Sequence, residues 1–208
     1  MKQYLALLVS VLPSNAARIF FYRLFFGYRI RNSKLGFGTV IAVKSFEMQG
    51  AVIGRFCRFV GPIEVTLQEK ANIGHSNQFR CGAWTQDKTA WSYKPCLEVG
   101  NNTSITSGHY FDVAATVVLG DRTMIAGTGS QFWTHGPDIG CKDIRIGDDC
   151  YIGSAARFCP GSSIGNRIMV GVGSVLTKKM DFDDAVVAGV PAKLIKAQYD
   201  WRNKKSLG

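Results

Sequence analysis

A strict six-residue repeat runs through residues 146–179 and constrains the fold more than any other feature. Bulky apolar residues recur at every sixth position, and glycine follows four of them: Ile146, Ile152, Phe158, Ile164, Val170 and Leu176. Apolar residues of an amphipathic helix recur at spacings of three and four, and those of a half-buried strand alternate. A period of six predicts instead a solenoid in which each hexapeptide forms a short strand and a turn, and three hexapeptides form one triangular coil.

The residues between these apolar positions indicate how the coils stack. Residues eighteen apart, such as Ile146 and Ile164, are predicted to lie above one another at the usual strand spacing of about 4.8 Å. The residue four places after each apolar position is usually small, which suits a narrow interior, with Ile168 as the exception: Cys150, Ala156, Ser162 and Ser174. Glycine after the apolar residue is expected to adopt backbone angles that a side chain forbids at a corner.

The rest of the chain is organised around this repeat. Residues 1–34 are predicted to form a helical cap, residues 35–180 the solenoid, and residues 181–208 a connection with a closing helix at 192–204. The repeat is broken at residues 84–96, WTQDKTAWSYKPC, and at residues 136–143, GPDIGCKD. Loops that leave a rigid scaffold commonly carry function. The predicted fold class is an all-β solenoid with short N-terminal helices and a C-terminal helix.

The formal charge of +10 predicts an anionic partner. Residues 1–46 contain basic residues and no acid, and the C-terminal end is basic as well. No nucleic-acid-binding motif is present, so nucleic acid is not the expected partner.

The six cysteines include no Cys-x-x-Cys pair, which argues against a zinc ribbon or a redox motif. Cys57 and Cys150 fall at the small interior position of their hexapeptides and are predicted to be buried thiols. This indicates a reducing compartment, and the predicted location is cytoplasmic.

Two short amphipathic helices are predicted before the solenoid. Leu5, Leu8 and Leu12 share one helical face, and Phe21 and Phe25 share another after Pro13-Ser14-Asn15. The first apolar run is too short to span a bilayer. Two interpretations remain open: the helices cap the open end of the solenoid, or they attach the protein to an anionic membrane surface at the inner face of the cell membrane.

The segment IGSAARFCPGSSIGNRIMVGVGSVLTKKM and the tail AGVPAKLIK resemble the left-handed β-helix, or hexapeptide-repeat, acyltransferases, which include galactoside, maltose and Nod-factor acetyltransferases. The resemblance covers about residues 35–197. The opening LPSNAARIFFYRLFFGYRI is similar to a segment common in members that acetylate bacterial surface polysaccharides. The resemblance implies a left-handed coil, a homotrimer with active sites between subunits, and acetyl-CoA as acyl donor.

The three histidines are the candidates for the base that such a transfer requires, since the reference pKa of histidine lies near neutrality. His135 lies where the repeat gives way to the second break, at the place of the catalytic histidine in the resembled enzymes, and is the predicted base. His109 is the candidate for acceptor binding, and His75 has no predicted role. Carbonic anhydrases on this scaffold require two histidines five residues apart, and no such pair exists, so no metal site is expected.

The remaining site residues follow from the resemblance. The residues expected to bind the donor along the solenoid and at its end are Gly153, Ser154, Val172, Thr177, Lys178, Lys193 and Lys196. Trp133 lies two residues before the predicted base, on the same side of an extended chain, and either stacks on an acceptor sugar or packs under the loop.

Two features of the site stay open. Asp112, Asp138 and Asp143 are alternatives for orienting the imidazole, and Thr106, Ser107 or a backbone amide for stabilising the oxyanion.

The predicted function is an acetyl-CoA-dependent O-acetyltransferase that acts directly on a sugar hydroxyl of a bacterial surface polysaccharide or its precursor. N-acetylation of an amino sugar or another small amine, and a non-catalytic assembly role, are the alternatives.

Overall fold

The computed structural model of the chain describes residues 2–86 and 93–203. It begins with two α-helices, α1 (Lys2–Ser10) and α2 (Asn15–Phe26), and continues almost entirely as short β-strands. The middle of the first predicted break (residues 87–92) and the end of the predicted closing helix (from residue 204) lie outside the described residues.

The strands form three main sheets, called A, B and C here. Sheet A contains Arg29–Arg31, Ser45–Gln49, Glu64–Leu67, Cys96–Val99, Thr116–Leu119, Ile144–Ile146, Ser163–Ile164 and Lys179–Met180. Sheet B contains Lys34–Leu35, Val52–Ile53, Asn72–Ile73, Ser104–Ile105, Met124–Ile125, Tyr151–Ile152, Ile168–Val170, Ala185–Gly189 and Ala192–Ala197. Sheet C contains Val40–Ala42, Arg58–Val60, Gln78–Arg80, Tyr110–Asp112, Gln131–Phe132, Arg157–Phe158 and Val175–Leu176.

Consecutive strands go to sheets A, B and C in turn, and each pairs in parallel with the strand one turn later, up to Ala185–Gly189. Ile146 pairs with Ile164 in sheet A, and Ile152 pairs with Val170 in sheet B. The predicted stacking of residues eighteen apart is therefore confirmed. The chain coils around a three-sided interior, as the six-residue period requires.

Each sheet sends a ladder of side chains into that interior. In sheet C, phenylalanines from five successive turns stack with ring centroids 4.2 to 4.9 Å apart: Phe59, Phe79, Phe111, Phe132 and Phe158. The small residues predicted to lie inside, and Ile168, are fully buried: Cys150, Ala156, Ser162 and Ser174. Close packing of this kind is what makes the interior sensitive to the volume of each side chain.

The glycines that follow the apolar residues have a different role from the expected one. Gly147 and Gly153 do not have a positive φ; the left-handed residues lie two places later, at Asp149 and Ala155. A Cβ atom at Gly147 would lie 2.5 Å from the carbonyl oxygen of Gly165. The prediction of special backbone angles is therefore wrong. Glycine is required because adjacent turns approach one another too closely for a side chain.

Helices α1 and α2 cover the first strands of the coil. Ser14 caps α2 by accepting a hydrogen bond from the amide of Ala17 at 3.0 Å, and Gly27 ends the helix with φ 68°. α1 packs against Val40–Ala42 and α2 against Lys34–Leu35. Within the described ranges, neither helix is long and apolar enough to cross a membrane.

The predicted closing helix at 192–204 is absent from the described part of that range, and its prediction is wrong. Ala192–Ala197 is a strand that pairs antiparallel with Ala185–Gly189 and ends sheet B. The open edge of sheet B offers backbone hydrogen bonds to this segment, and that pairing overrides its local preference. After the hairpin, the indole of Trp201 donates a hydrogen bond to the carbonyl of Asp149 at 2.7 Å. This contact holds the segment after the hairpin against the coil.

Two corners of the coil differ in regularity. The regular corner links sheet B to sheet C and includes residues 106–109, 126–130, 153–156 and 171–174. The interrupted corner links sheet C to sheet A and includes residues 81–86, 93–95, 113–115, 133–143, 159–162 and 177–178. Both breaks in the repeat leave the coil at the interrupted corner, the first with a 3-10 helix at Ala83–Gln86 and the second with an antiparallel hairpin of His135–Gly136 and Gly140–Cys141.

Candidate active site

His135 and Asp112 form a hydrogen-bonded pair at the interrupted corner. Asp112 ends a strand of sheet C and is buried, while His135, on the next turn, begins the hairpin and is half-buried. The two come together because Phe111 and Phe132 pair in adjacent strands, which brings the segments that follow them side by side. The distance from Nδ1 of His135 to Oδ2 of Asp112 is 2.7 Å.

Thr134 fixes the direction of this hydrogen bond. Its hydroxyl accepts from the amides of Ala114 and Ala115, so its proton is directed to Oδ2 of Asp112 at 2.7 Å. The amide of Thr134 donates to the same oxygen at 2.9 Å. Because an ionised carboxylate oxygen only accepts hydrogen bonds, Nδ1 of His135 is the donor in this contact. The other ring nitrogen, Nε2, is then the unprotonated one in the neutral imidazole, as a general base requires.

The two breaks meet at this pair. Trp84 packs against the ring of His135 with centroids 5.0 Å apart, and Tyr93 packs edge-on against Trp84 at 5.2 Å. Gly82 makes room for the indole, since a Cβ atom there would collide with it. Trp84 and Tyr93, from the first break, thus form an aromatic surface beside His135, where the second break begins.

Trp133 lies nearby but makes other contacts. Its ring packs on Tyr110 at 5.0 Å, and its indole nitrogen donates to the side-chain oxygen of Gln131 at 3.2 Å. Its side chain is partly open to solvent.

His109 is not brought to the surface of the site. It is 1% exposed, its Nδ1 accepts from the amide of Ser130 at 3.1 Å, and its Nε2 donates to the hydroxyl of Thr106 at 3.0 Å. Burial lowers the pKa of His109 to about 4, opposed by its backbone hydrogen bond near Gly127. Both ring nitrogens are used inside the regular corner, whereas His135 lies at the interrupted corner.

The contacts of the candidate carboxylates and hydroxyls bear on which of them orients the imidazole and which could stabilise the oxyanion. Asp143 accepts from the amide of Thr116 and from Arg145, and Asp138 is exposed on the hairpin, so Asp112 is the carboxylate that holds His135. The hydroxyl of Thr106 donates to the carbonyl of Gly127 at 2.6 Å. Ser107 accepts from the amide of His75, an exposed residue. Both hydroxyls are thus engaged within the coil.

The residues expected to bind the donor fall into two groups. Gly153, Ser154 and Val172 stack on successive turns of the regular corner, where the amide of Gly173 donates to the carbonyl of Ser154 at 2.9 Å. Lys193 pairs with Ala188 beside this column. Thr177 and Lys178, by contrast, lie at the interrupted corner with His135. Lys196 lies over the ring of Tyr199 at 4.4 Å. In a single chain, sheet C separates the two groups.

An open groove of about 720 Å³ extends from the hairpin across the last strands of sheet A. Its charged lining residues are Lys142, Arg145, Lys179, Asp143 and Asp181. Across residues 2–86 and 93–203, no cluster of three His, Cys, Asp or Glu side chains has the arrangement of a metal site.

None of the six cysteines is in a disulfide. Cys57 and Cys150 are fully buried as predicted, and burial raises the pKa of each thiol to about 11. Cys141, in the hairpin, also has a pKa raised to about 11, by burial first and by Asp112 and Cys81 second. A thiol with a raised pKa is a poor nucleophile near neutrality.

Sequence reasoning did not find Trp84 and Tyr93 as neighbours of His135. The signal was their place in the first break, which lies at the same corner of the coil as the second. Both breaks can be assigned to one corner only if the number of residues in each turn before and after them is known.

Comparisons with known proteins address the chain as a whole. No family model matches it. The galactoside O-acetyltransferase of Escherichia coli strain K12 is 28% identical over 183 residues, which cover 81% of this chain and 87% of that protein. Serine acetyltransferase 4 of Arabidopsis thaliana is 31% identical over 101 residues, which cover 49% of this chain and 28% of that protein.

Solved structures extend the likeness to the fold. The polySia specific acetyltransferase NeuO superposes with a TM-score of 0.57 at 20% identity, over 87% of each chain. A hexapeptide-repeat containing acetyltransferase of Vibrio cholerae, solved with acetyl coenzyme A, superposes with a TM-score of 0.53 at 22% identity, over 96% of this chain and 86% of that one. At these identities the structures establish the fold alone. With the galactoside O-acetyltransferase likeness they confirm the resemblance read from the hexapeptides: the chain is similar to hexapeptide-repeat acetyltransferases in sequence and in fold.

Proposed function

We propose that the protein is an acetyl-CoA-dependent O-acetyltransferase with His135 as general base and a sugar hydroxyl of a bacterial surface polysaccharide, or its precursor, as acceptor. The observation that carries the proposal is the 2.7 Å hydrogen bond from Nδ1 of His135 to Asp112, which leaves Nε2 as the proton acceptor. Support for a sugar acceptor comes from the galactoside O-acetyltransferase relative. We place the activity in the cytoplasm.

The proposed chemistry is a direct transfer. Acetyl-CoA supplies the acetyl group as a thioester. Nε2 of His135 takes the proton from the acceptor hydroxyl as its oxygen bonds to the thioester carbon, and returns that proton to the sulfur as the carbon–sulfur bond breaks. A general base of this type typically accelerates a reaction about 10²- to 10⁴-fold. The raised pKa of Cys141 gives no support to an acyl-cysteine intermediate.

Asp112 acts through His135 in this scheme. Its carboxylate holds the proton on Nδ1, fixes the ring orientation, and stabilises the imidazolium that forms during transfer. Trp84 limits the movement of the ring from one side and presents an aromatic surface beside it. We assign Trp84 and Trp133 to acceptor binding, because sugar rings pack on aromatic faces.

The chain's surface fits an anionic donor. Lys178 and Lys193 are exposed and form no ion pair with the described residues, so both are free to meet phosphates. Val172 is 76% exposed beside the half-buried Ser154. A Cβ atom at Gly173 would meet no atom within 4 Å, so this corner has room for a narrow ligand. We assign these residues, with Gly153, Thr177 and Lys196, to donor binding.

A homotrimer of left-handed coils explains why the proposed site residues are divided. A donor that lies along Ser154 and Val172 at the regular corner is separated by sheet C from His135 of the same chain. If the interrupted corner of one subunit faces the regular corner of the next, base and donor meet at the subunit interface. Three such contacts close a ring.

Replacement of His135 tests the proposal. His135→Ala should lose about 10²- to 10⁴-fold in acetyl transfer while keeping its affinity for CoA in calorimetry. His75→Ala, at an exposed histidine, is the matched control and should keep full activity. Wild-type turnover by His135→Ala would show that another group is the base.

A panel of hydroxyl and amino sugars with labelled acetyl-CoA separates the alternatives. Transfer to hydroxyl sugars supports O-acetylation, and transfer only to amino sugars supports N-acetylation. Absence of transfer and of CoA binding would favour the non-catalytic role.

A further inference from the structure

The two N-terminal helices expose apolar side chains on the faces turned away from the coil. On α1 the buried residues are Ala6, Val9 and Ser10, and the opposite side carries Tyr4 and Leu8, which are 77% and 66% exposed. The large apolar side chains exposed along residues 2–26 are Tyr4, Leu5, Leu7, Leu8, Val11, Phe20, Leu24 and Phe25. This set is called the outer apolar face.

The inner side of α2 includes polar groups beside the apolar side chains that pack on the core. Arg18 is 5% exposed, and its Nε and Nη2 donate to the carbonyl of Leu35 at 3.1 and 2.8 Å. The hydroxyl of Tyr22 is fully buried and bonds to Thr39 and Ile41. An ordinary surface helix has its polar side outward. Because the inner sides of the helices alone suffice to cover the coil, capping does not explain the outer apolar face.

Positive charge borders the same helices. A groove of about 680 Å³ beside α2 is lined by Ile19 and Phe20 together with Arg23, Arg31 and Lys34. These three cations form no ion pair within the described chain, whereas Arg29 pairs with Glu47 and Lys44 pairs with Glu64. No acidic residue occurs before Glu47. The surface is therefore suited to a ligand that is both apolar and anionic.

We propose that the outer apolar face and the Arg23–Arg31–Lys34 groove bind the surface of an anionic phospholipid bilayer. Helices with apolar outer sides and basic neighbours lie in the interface with their apolar side about 5–10 Å deep. Each Lys or Arg near an anionic membrane adds about 1 kcal/mol to binding. A second copy of the chain is disfavoured as the occupant, because two copies meeting at this face would bring like charges together.

Vesicle flotation at about 0.1 M salt tests the proposal. Wild-type protein should float with vesicles of phosphatidylcholine and phosphatidylglycerol, and bind vesicles of phosphatidylcholine alone at least about tenfold less, the factor that ~1.4 kcal/mol represents. The double variant Phe20→Ser, Leu24→Ser and the triple variant Arg23→Gln, Arg31→Gln, Lys34→Gln should each lose about tenfold or more. Ile195→Ser, at an exposed apolar residue of the C-terminal hairpin, should bind like wild type.

Two results would overturn the proposal. One is equal binding of wild type and both variants to anionic vesicles. The other is no flotation of wild type with the anionic vesicles. A lower oligomeric mass of the Phe20→Ser, Leu24→Ser variant in light scattering would then assign the face to a second copy. Circular dichroism of each variant shows whether it is folded. Because the assay contains neither donor nor acceptor, its outcome does not depend on the proposed transferase reaction.

Discussion

Two histidines lie at two corners of the same coil, and their surroundings differ in every respect that matters for chemistry. His109, at the regular corner, is buried, and both ring nitrogens are bonded to the coil. His135, at the interrupted corner, is half-buried, and among residues 2–86 and 93–203 only its Nδ1 has a hydrogen-bond partner, Asp112. The difference shows that regular turns use polar side chains to hold the backbone together. At the broken corner, by contrast, the bond to Asp112 leaves Nε2 of His135 available for chemistry.

The largest effect is expected from Asp112→Asn. A neutral amide at this position no longer stabilises the imidazolium that His135 becomes during transfer, so acetyl transfer should fall about 10²- to 10⁴-fold. Steady-state kinetics measure the loss, and the affinity for CoA should be unchanged. Asp143→Asn, at the same corner but without contact to His135, should stay within a few-fold of wild type. Equal losses in both variants would mean that the corner acts as scaffold only.

The buried His109 should make stability depend on pH. Its folded pKa of about 4 lies below the unfolded value of 6.5, so the unfolded state binds the proton first as pH falls. The stabilisation is complete above pH 6.5 and is lost between 6.5 and 4, with a total of roughly 3 kcal/mol. Urea unfolding across this range measures it. His109→Gln should be less stable at pH 7 and have a flatter pH profile; an unchanged profile would contradict this role.

Glycine substitutions compare the packing of the two corners. A Cβ atom at Gly153, at the regular corner, would lie 2.9 Å from the backbone of the next turn, so Gly153→Ala should cost about 1–3 kcal/mol of unfolding free energy. At Gly136, in the hairpin of the interrupted corner, the nearest atom is 3.7 Å away, and Gly136→Ala should change stability by no more than about 0.5 kcal/mol. The reverse order would show that the hairpin is the more tightly packed segment.

The smallest effect is expected from Trp84→Ala. Loss of an aromatic contact is worth about 0.5–1.5 kcal/mol, so KM for the sugar acceptor should rise about 3- to 10-fold while KM for acetyl-CoA does not change. Phe56→Ala removes a ring of similar exposure at the regular corner and serves as control. A change in donor KM alone would place Trp84 on the donor side of the site.

Sequence predicted the regular turns well because a period of six leaves only one way to stack Ile146 on Ile164. The interior positions of Cys150 and Ser162 followed from the same period. The pairing of Asp112 with His135 was left open, since the spacing between turns lengthens where the coil is broken. Three carboxylates were equally placed along the chain, and only the fold brings one of them within hydrogen-bonding distance.

The strand Ala192–Ala197 was missed for a different reason. Its apolar residues fit a short helix as well as a strand, and the choice depends on the free edge of sheet B. The same limit applies to the glycines, because the sequence cannot distinguish a left-handed residue from a close approach of two turns. In both cases the local sequence allows two structures, and contacts with distant parts of the chain select one of them.

That antiparallel strand also sets the length of the molecule. A coil of parallel strands ends in rows of unpaired backbone groups, which are templates for the addition of further chains. At the first turn, α1 and α2 cover the strands. At the other end, Ala192–Ala197 runs against the direction of the coil, so a second molecule cannot continue the parallel stacking of sheet B. Addition of a further coil at sheet B is thus opposed by chain direction at one end and by the helices at the other.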